Sequence, residues 1–206
     1  MARYTGPKNK IARRESVDLG LKTIGSHAHA ALLRRLNIIP GQHGVRGRRK
    51  LSGYGVQLRE KQKVKRMYGV FERQFRKIFE KARKFRGNTG DQLIQFLERR
   101  LDNVLYRMGV VPTRASGRQM ITHGHVLLNG KKVSIPSFEV SADDVVTLTS
   151  KGANIPAVSR QLAEKDPQVV DWIKRQGPAG KIVRLPQRSD VKEDITEQYI
   201  IEYYSR

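Results

Sequence analysis

Thr113-Arg114-Ala115-Ser116-Gly117-Arg118-Gln119-Met120-Ile121, then His125-Val126-Leu127-Leu128-Asn129-Gly130-Lys131-Lys132-Val133-Ser134-Ile135: across this stretch the sequence changes period. The Thr113 hydroxyl can accept from the first N–H groups of a helix, and Gly124 supplies a stop before the change. Beyond it, two short runs flank Asn129-Gly130, and Asn-Gly takes the positive-φ pair that a tight antiparallel hairpin needs. Upstream, Leu93, Phe96, Leu97, Leu101, Val104, Leu105 and Met108 recur at helical spacing, which predicts one helix over 91–108 closed by Gly109. Downstream, Val145-Val146-Thr147-Leu148-Thr149 follows the polar turn Ser141-Ala142-Asp143-Asp144 and predicts another strand. The expectation is an α+β chain in which a helix pair joins a small antiparallel sheet.

Towards the amino terminus, Ser52 is a predicted N-cap and Gly87 a predicted stop, with helix between them interrupted at Gly69. Phe71, Phe75, Ile78, Phe79, Ala82 and Phe85 form one apolar stripe, read as core rather than as base-stacking platforms, and Arg73, Arg76, Lys77, Arg83 and Lys84 lie mostly away from it. The run Arg59-Glu60-Lys61-Gln62-Lys63-Val64-Lys65-Arg66 has too few apolar positions for burial and calls for solvent or phosphate around it. Residues 1–50 have weak periodicity and basic pairs, and read as loops and short helices, one over 28–36, with ligand binding as one source of their order. Towards the carboxyl terminus, Asp166-Pro167 opens a predicted helix to about Arg175 with Trp172 on its inner face, and Tyr199–Tyr204 has strand-forming residues. The expected segments are a basic extension (1–50), a helical domain (51–98), a module of the helix pair and hairpin (99–161) and a carboxyl-terminal segment (162–206) with a helix and a final strand.

The charge is unevenly spread. Of 206 residues, the first 90 hold 24 Lys and Arg against 5 Asp and Glu, a net of +19 within a total of +22. A solvated surface explains any single basic cluster, but a whole segment so charged repels itself unless a polyanion relieves it. With no cysteine, the chain has neither disulfides nor thiolate nucleophiles nor thiolate metal sites. No run of 18 or more apolar residues occurs and the opening residues lack an apolar signal region, so neither export nor a membrane span is expected.

The search for catalytic chemistry returns little. Asp143-Asp144 sits where carboxylates ordinarily solvate a turn. His27 with His29, and His123 with His125, stand two apart without a further ligand at metal-binding spacing. Gly41-Gln42-His43-Gly44 and Gly87-Asn88-Thr89-Gly90 read as turns, and no phosphate loop or nucleophile elbow is present. What remains is a basic face. Arg99, Arg100, Arg107, Arg114 and Arg118 lie on or between the two helices, Lys131 and Lys132 follow the hairpin turn, and Asn103, Ser116 and Gln119 could reach 2′-hydroxyls.

These residues resemble a known family, small-subunit ribosomal protein four of the bacterial, cysteine-free type. The resemblance is carried by Met1-Ala2-Arg3-Tyr4 with Gly6-Pro7, Pro40-Gly41-Gln42-His43-Gly44, Tyr54-Gly55-Val56-Gln57-Leu58-Arg59-Glu60-Lys61, Arg100-Leu101-Asp102-Asn103-Val104, Tyr106-Arg107-Met108-Gly109 and Arg188-Ser189-Asp190, among others along nearly the whole chain. It implies a helical first domain and an inserted RNA-binding module (99–161) with an antiparallel sheet, the carboxyl-terminal segment (162–206) returning toward the first domain. It further implies direct binding to small-subunit ribosomal RNA at a multi-helix junction, nucleation of the subunit body, and a contribution to decoding accuracy through small-subunit protein five. It also makes the chain's own messenger RNA a candidate ligand. Some relatives carry four zinc-binding cysteines, absent here, so zinc is not expected; with no active-site motif in the sequence, neither is another cofactor or an enzymatic activity. The expected RNA-binding set comprises Arg3, Lys8, Arg13, Arg14, His43, Arg48, Arg49, Lys50, Tyr54, Arg59, Lys61, Lys63, Lys65, Arg66, Arg73 and Arg76. It continues with Arg99, Arg100, Asn103, Arg107, Arg114, Ser116, Arg118, Gln119, His123, Lys131 and Lys132. Reversing Arg107 and Arg118 to Glu is expected to weaken RNA binding and leave the fold intact. The rival readings are an RNA-modifying enzyme, which needs a further catalytic domain that residues 150–206 are too few to supply, and a general nucleic-acid chaperone.

Overall fold

The computed structural model describes residues 4–47, 50–164 and 169–206. Its α-helices are α1 (Lys8–Glu15), α2 (His27–Leu33), α3 (Gly53–Met67), α4 (Glu72–Arg83), α5 (Thr89–Glu98), α6 (Leu101–Arg107), α7 (Arg114–Thr122), α8 (Ser150–Ala153), α9 (Pro156–Ala163) and α10 (Glu197–Tyr204). Its strands are β1 (Val126–Leu128), β2 (Lys131–Lys132), β3 (Val145–Leu148), β4 (Ile173–Gln176) and β5 (Ala179–Ile182). The chain divides into two compact units, one from residues 1–90 with 193–206, the other from residues 91–192.

In the first unit, Ser52 Oγ accepts from the Gly55 N–H at 3.2 Å and opens α3. Gly69, at φ +63°, closes it: the Gly69 N–H donates to Arg66 O and the Val70 N–H to Lys65 O, so two orphan carbonyls are satisfied in the last turn. The core gathers Ala12, Leu32, Val64, Met67, Tyr68, Phe75, Phe79, Ala82 and Ile200. Phe75 and Phe79 are core, as the stripe predicts, while Phe71 and Phe85, at either end of it, are exposed.

Residues 199–204 are not the expected strand. They belong to α10, which packs on α3. Strand propensity yields because helical spacing buries Ile200 and stacks Tyr204 on Phe79, centroids 4.6 Å apart. Two further bonds tie it down: Gln57 Nε2 donates to Glu202 at 2.7 Å, and the Thr196 N–H donates to Glu60 Oε1 at 2.9 Å.

The second unit is an antiparallel sheet in the order β2-β1-β3-β5-β4, covered by α6, α7 and α9 residues. Thr113 Oγ1 caps α7 through the Ser116 N–H at 3.2 Å. Asn129 and Gly130 take φ +48° and +77°, and Leu128 pairs with Lys131 across the turn. The second arm is short: the strand ends at Lys132, the Val133 N–H makes a last bond to Val126 O at 3.2 Å, and Ser134 and Ile135 lie beyond the strand. Leu101, Val104, Leu105, Met108, Met120, Ile121, Val126, Val146, Trp172 and Ile182 form the core.

Two expectations here need correction. The single helix over 91–108 is broken between Glu98 and Leu101, although its apolar stripe is buried throughout. Arg100 is extended and bridges Glu139, the Val140 N–H donates to Arg99 O, and Leu101 and Asp102 donate their N–H groups to Phe138 O and Pro136 O. A distant loop thus takes the first donors of α6, which α5 would have taken in a continuous helix. The helix expected from Asp166 is also absent where it can be seen; residues 165–168 lie outside the described residues, and 173–176 form β4. Gly177-Pro178 is a hairpin turn rather than a helix stop, with Gln176 facing Ala179. Trp172 is wholly buried in the turn before β4, not on a helix face. Residues 162–192 belong to the second unit and 193–206 to the first.

Candidate nucleic-acid interface

On α4 the side chains separate by chemistry. Phe75, Phe79 and Ala82 face inward. Arg73, Arg76, Lys77, Lys81, Arg83 and Lys84 lie outside that buried set, most of them exposed, with Arg86 exposed just beyond. One acid shares that face: Glu80 accepts from Arg76 Nε at 3.1 Å, both side chains being half or more exposed. The helix is therefore an amphipathic rod with a cationic outer side, the form that binds phosphate through many weak contacts.

The cations of α3 behave differently, and the expectation that they need solvent or phosphate fails for several. Lys61 and Lys63 are 3% and 8% exposed. Glu72, at the start of α4, accepts from Lys61 and Lys65 at 2.8 Å each and from the Tyr204 hydroxyl at 2.8 Å. Lys63 pairs with Glu60 at 2.8 Å. Glu15, buried at the end of α1, accepts from Arg59 and Arg66. Burial draws the Arg66 guanidinium below its usual value, opposed by the Glu15 carboxylate. Burial alone would raise the Glu72 carboxyl, but hydrogen bonds from Lys61, Lys65 and Tyr204 outweigh it and hold the group at about 2. Lys63 is held by an acid one turn back on its own helix, but Lys61, Lys65, Arg59 and Arg66 are engaged by acids from α1 and α4, which no local apolar count can show.

In the second unit the arginines of the helix pair do not fan outward; they are woven around two buried carboxylates. Glu98 accepts from Arg107 Nε at 2.8 Å and Nη2 at 2.7 Å, and from Asn103 Nδ2 at 2.8 Å. Asn103 Oδ1 accepts from Arg114 Nε at 2.7 Å, and the Arg114 guanidinium lies 4.5 Å over the Tyr106 ring. Asp102 accepts from Arg100 at 2.8 and 3.1 Å and from Arg118 at 2.6 and 3.1 Å. Arg100, Asn103 and Arg114 are buried, while the Arg107 and Arg118 side chains keep about a tenth of their surface. Four guanidinium groups against two carboxylates leave a net positive cluster. The double reversal to Glu thus sets new carboxylates against Glu98 and Asp102, and the expectation that it spares the fold is withdrawn.

The other candidates are dispersed. Arg3, Arg48 and Arg49 lie outside the described residues. Arg14, His43, Lys50 and Tyr54 are exposed and Lys8 is half-buried. Arg13 donates to Ile38 O at 2.9 Å and Arg99 to Val140 O at 2.8 Å, each holding a loop. Ser116 sits against the Thr113 hydroxyl at 3.0 Å. Gln119, His123, Lys131 and Lys132 stand at the α7 and hairpin end of the second unit, all four exposed. The set omitted Lys77, Lys81, Arg83, Lys84 and Arg86, whose signal was the α4 stripe itself, and omitted the acids Glu98 and Asp102.

Elsewhere the side chains have structural work. Asp144 accepts from Asn129 Nδ2 at 2.8 Å and the Ser141 N–H at 2.7 Å, and Asp143 pairs with Lys181 at 2.9 Å. His29 bonds Asp18 at 2.7 Å. Among the described residues no group of three or more metal-binding side chains converges, and no helix is long and apolar enough to cross a membrane.

Comparison with known proteins assigns two segments of the chain to known domains. Residues 3–98 match the ribosomal protein S4/S9 N-terminal domain, and residues 99–146 match the S4 domain. The chain is 46% identical over 209 residues to the small ribosomal subunit protein uS4 of Trichlorobacter lovleyi, an alignment that covers all of both chains. Two consecutive domain matches and a full-length relative lead to one assignment: the chain belongs to the uS4 family of small-ribosomal-subunit proteins.

Proposed function

We propose that the chain is a non-enzymatic structural protein of the small ribosomal subunit that binds the subunit's ribosomal RNA directly, nucleates assembly of the subunit body and contributes to translational accuracy beside small-subunit protein five. It works in the cytoplasm, within the ribosome, and its own messenger RNA is a second ligand of the same chemistry. The observation that carries this reading is the cationic outer side of α4, where Arg73, Arg76, Arg83 and Lys84 are exposed while the neighbouring acids Glu15, Glu60 and Glu72 are engaged with α3. Binding neutralises phosphates and fits a folded RNA surface; no bond is made or broken.

Contact with about 6–10 phosphates lowers affinity for folded small-subunit RNA roughly 10³- to 10⁵-fold between 50 and 200 mM salt. Filter binding across that range, with duplex DNA and unstructured RNA as competitors, checks it. A flat salt response, or equal affinity for all three nucleic acids, rejects the reading.

A further inference from the structure

Carboxylates buried among the four arginines of α6, α7 and the residue before α6 are electrostatically the wrong sign for binding RNA, since each weakens the attraction for phosphate. Glu98 and Asp102 are nevertheless each about 1% exposed and fully engaged. We propose that they are positioning residues for RNA binding, fixing the guanidinium planes of Arg107 and Arg118 so that their exposed edges meet phosphate or ribose oxygens in one orientation. The proposal rests on the RNA-binding reading above.

The geometry supplies the reason. Glu98 holds Arg107 through two parallel hydrogen bonds, the fork-on-fork pairing that fixes a guanidinium plane as well as its position. Asp102 grips Arg118 and Arg100 together, and Asn103 links Glu98 to Arg114. A free arginine loses much side-chain entropy when it binds phosphate; one already locked loses little, so orientation offsets the adverse charge. The network also joins α5, α6 and α7, so the same bonds set the spacing between cations on different helices.

The test is a contrast of sign between three charge-removing substitutions of the same kind. Glu98→Gln and Asp102→Asn each raise the net charge by one, as does Glu80→Gln on the exposed face of α4. If the buried acids position arginines, Glu98→Gln and Asp102→Asn bind folded small-subunit RNA about tenfold more weakly. Each also lowers the log–log salt slope by roughly 0.7–0.9, the signature of one phosphate no longer neutralised. Glu80→Gln binds as well as the parent or more tightly. Binding is measured where circular dichroism shows each variant folded, because a purely structural role lowers the melting temperature and leaves the slope of the folded protein untouched. Should either neutral variant fail to fold, Glu98→Asp keeps the charge and withdraws the carboxylate from Arg107, and the same fall in affinity and slope is expected of it. Parental affinity and slope in folded Glu98→Gln and Asp102→Asn, or in Glu98→Asp, overturn the proposal. A parent protein with no salt-dependent RNA affinity overturns the functional reading itself.

Discussion

Gly117 shows how one missing methyl sets the distance between helices. A Cβ there would stand 2.7 Å from the Asp102 carbonyl oxygen, which is backbone of α6 and cannot rotate away. At Gly180 the added Cβ would meet Met108 Cε at 2.6 Å, the far end of an unbranched side chain. In an unencumbered helix Gly→Ala stabilises by about 1 kcal/mol. Gly117→Ala is expected instead to destabilise by about 1–3 kcal/mol, because α7 must retreat from α6, and Gly180→Ala is expected to cost less. Urea unfolding of the two variants checks the order; an unchanged or raised midpoint for Gly117→Ala would mean that the helices have slack. Thr113 as a cap and Asn129-Gly130 as a turn are legible in sequence, since their chemistry is local. The burial of Arg100, Arg114 and Lys61 is not: an isolated Arg or Lys reads as surface, and its carboxylate partner is fixed only by the fold.

Elements are readable from sequence where one face is apolar and misleading where tertiary hydrogen bonds or packing choose the state. The helix at α4 follows from its stripe, and the β1–β2 hairpin from its turn. The break between α5 and α6 is invisible because the apolar spacing continues through it; Phe138 and Pro136 carbonyls decide it. The α10 helix misleads because Tyr199–Tyr204 favours strands in isolation, while its partners lie on α3 and α4. That attachment has a pH signature. The Glu72 carboxyl, ordinarily near 4.5, sits at about 2, so its folded value lies below its unfolded one. Its contribution is therefore complete above about 4.5 and is lost as pH falls towards 2. The parent should lose stability across that window, and Glu72→Gln should lose about 1 kcal/mol less across it, a modest figure because the side chain is 45% exposed and solvent screens it. Thermal melts at pH 2.5 and pH 6 check this; identical pH slopes for parent and variant would remove Glu72 from the account.

At the scale of the whole molecule the question is how a segment of net +19 folds at all. The acids in residues 1–90 are few, and four of the five pair with side chains of the fold: Glu15, itself buried, on Arg59 and Arg66, Asp18 on His29, Glu60 on Lys63, Glu72 on Lys61 and Lys65. Glu80 alone among them stands on the exposed side of α4. The cations thus fall into two populations, one that pairs with acids of the fold and one exposed on the outer side of α4, where the proposed function places phosphate, and the two should separate by mutation. Neutralising Arg73, Arg83 and Lys84 together to Gln removes exposed charges only, so the melting temperature should hold or rise as self-repulsion falls. The salt slope of RNA binding should drop by roughly 0.7–0.9 for each phosphate that the variant no longer neutralises. Lys61→Gln should do the reverse. It takes from Glu72 the more deeply buried of its two lysines and lowers the melting temperature, yet leaves the salt slope of the folded protein near that of the parent. Melting curves and salt titrations on the two variants measure both quantities at once. If the triple variant melts early, or the slope follows Lys61 rather than α4, then the outer side of that helix is not where phosphate is met.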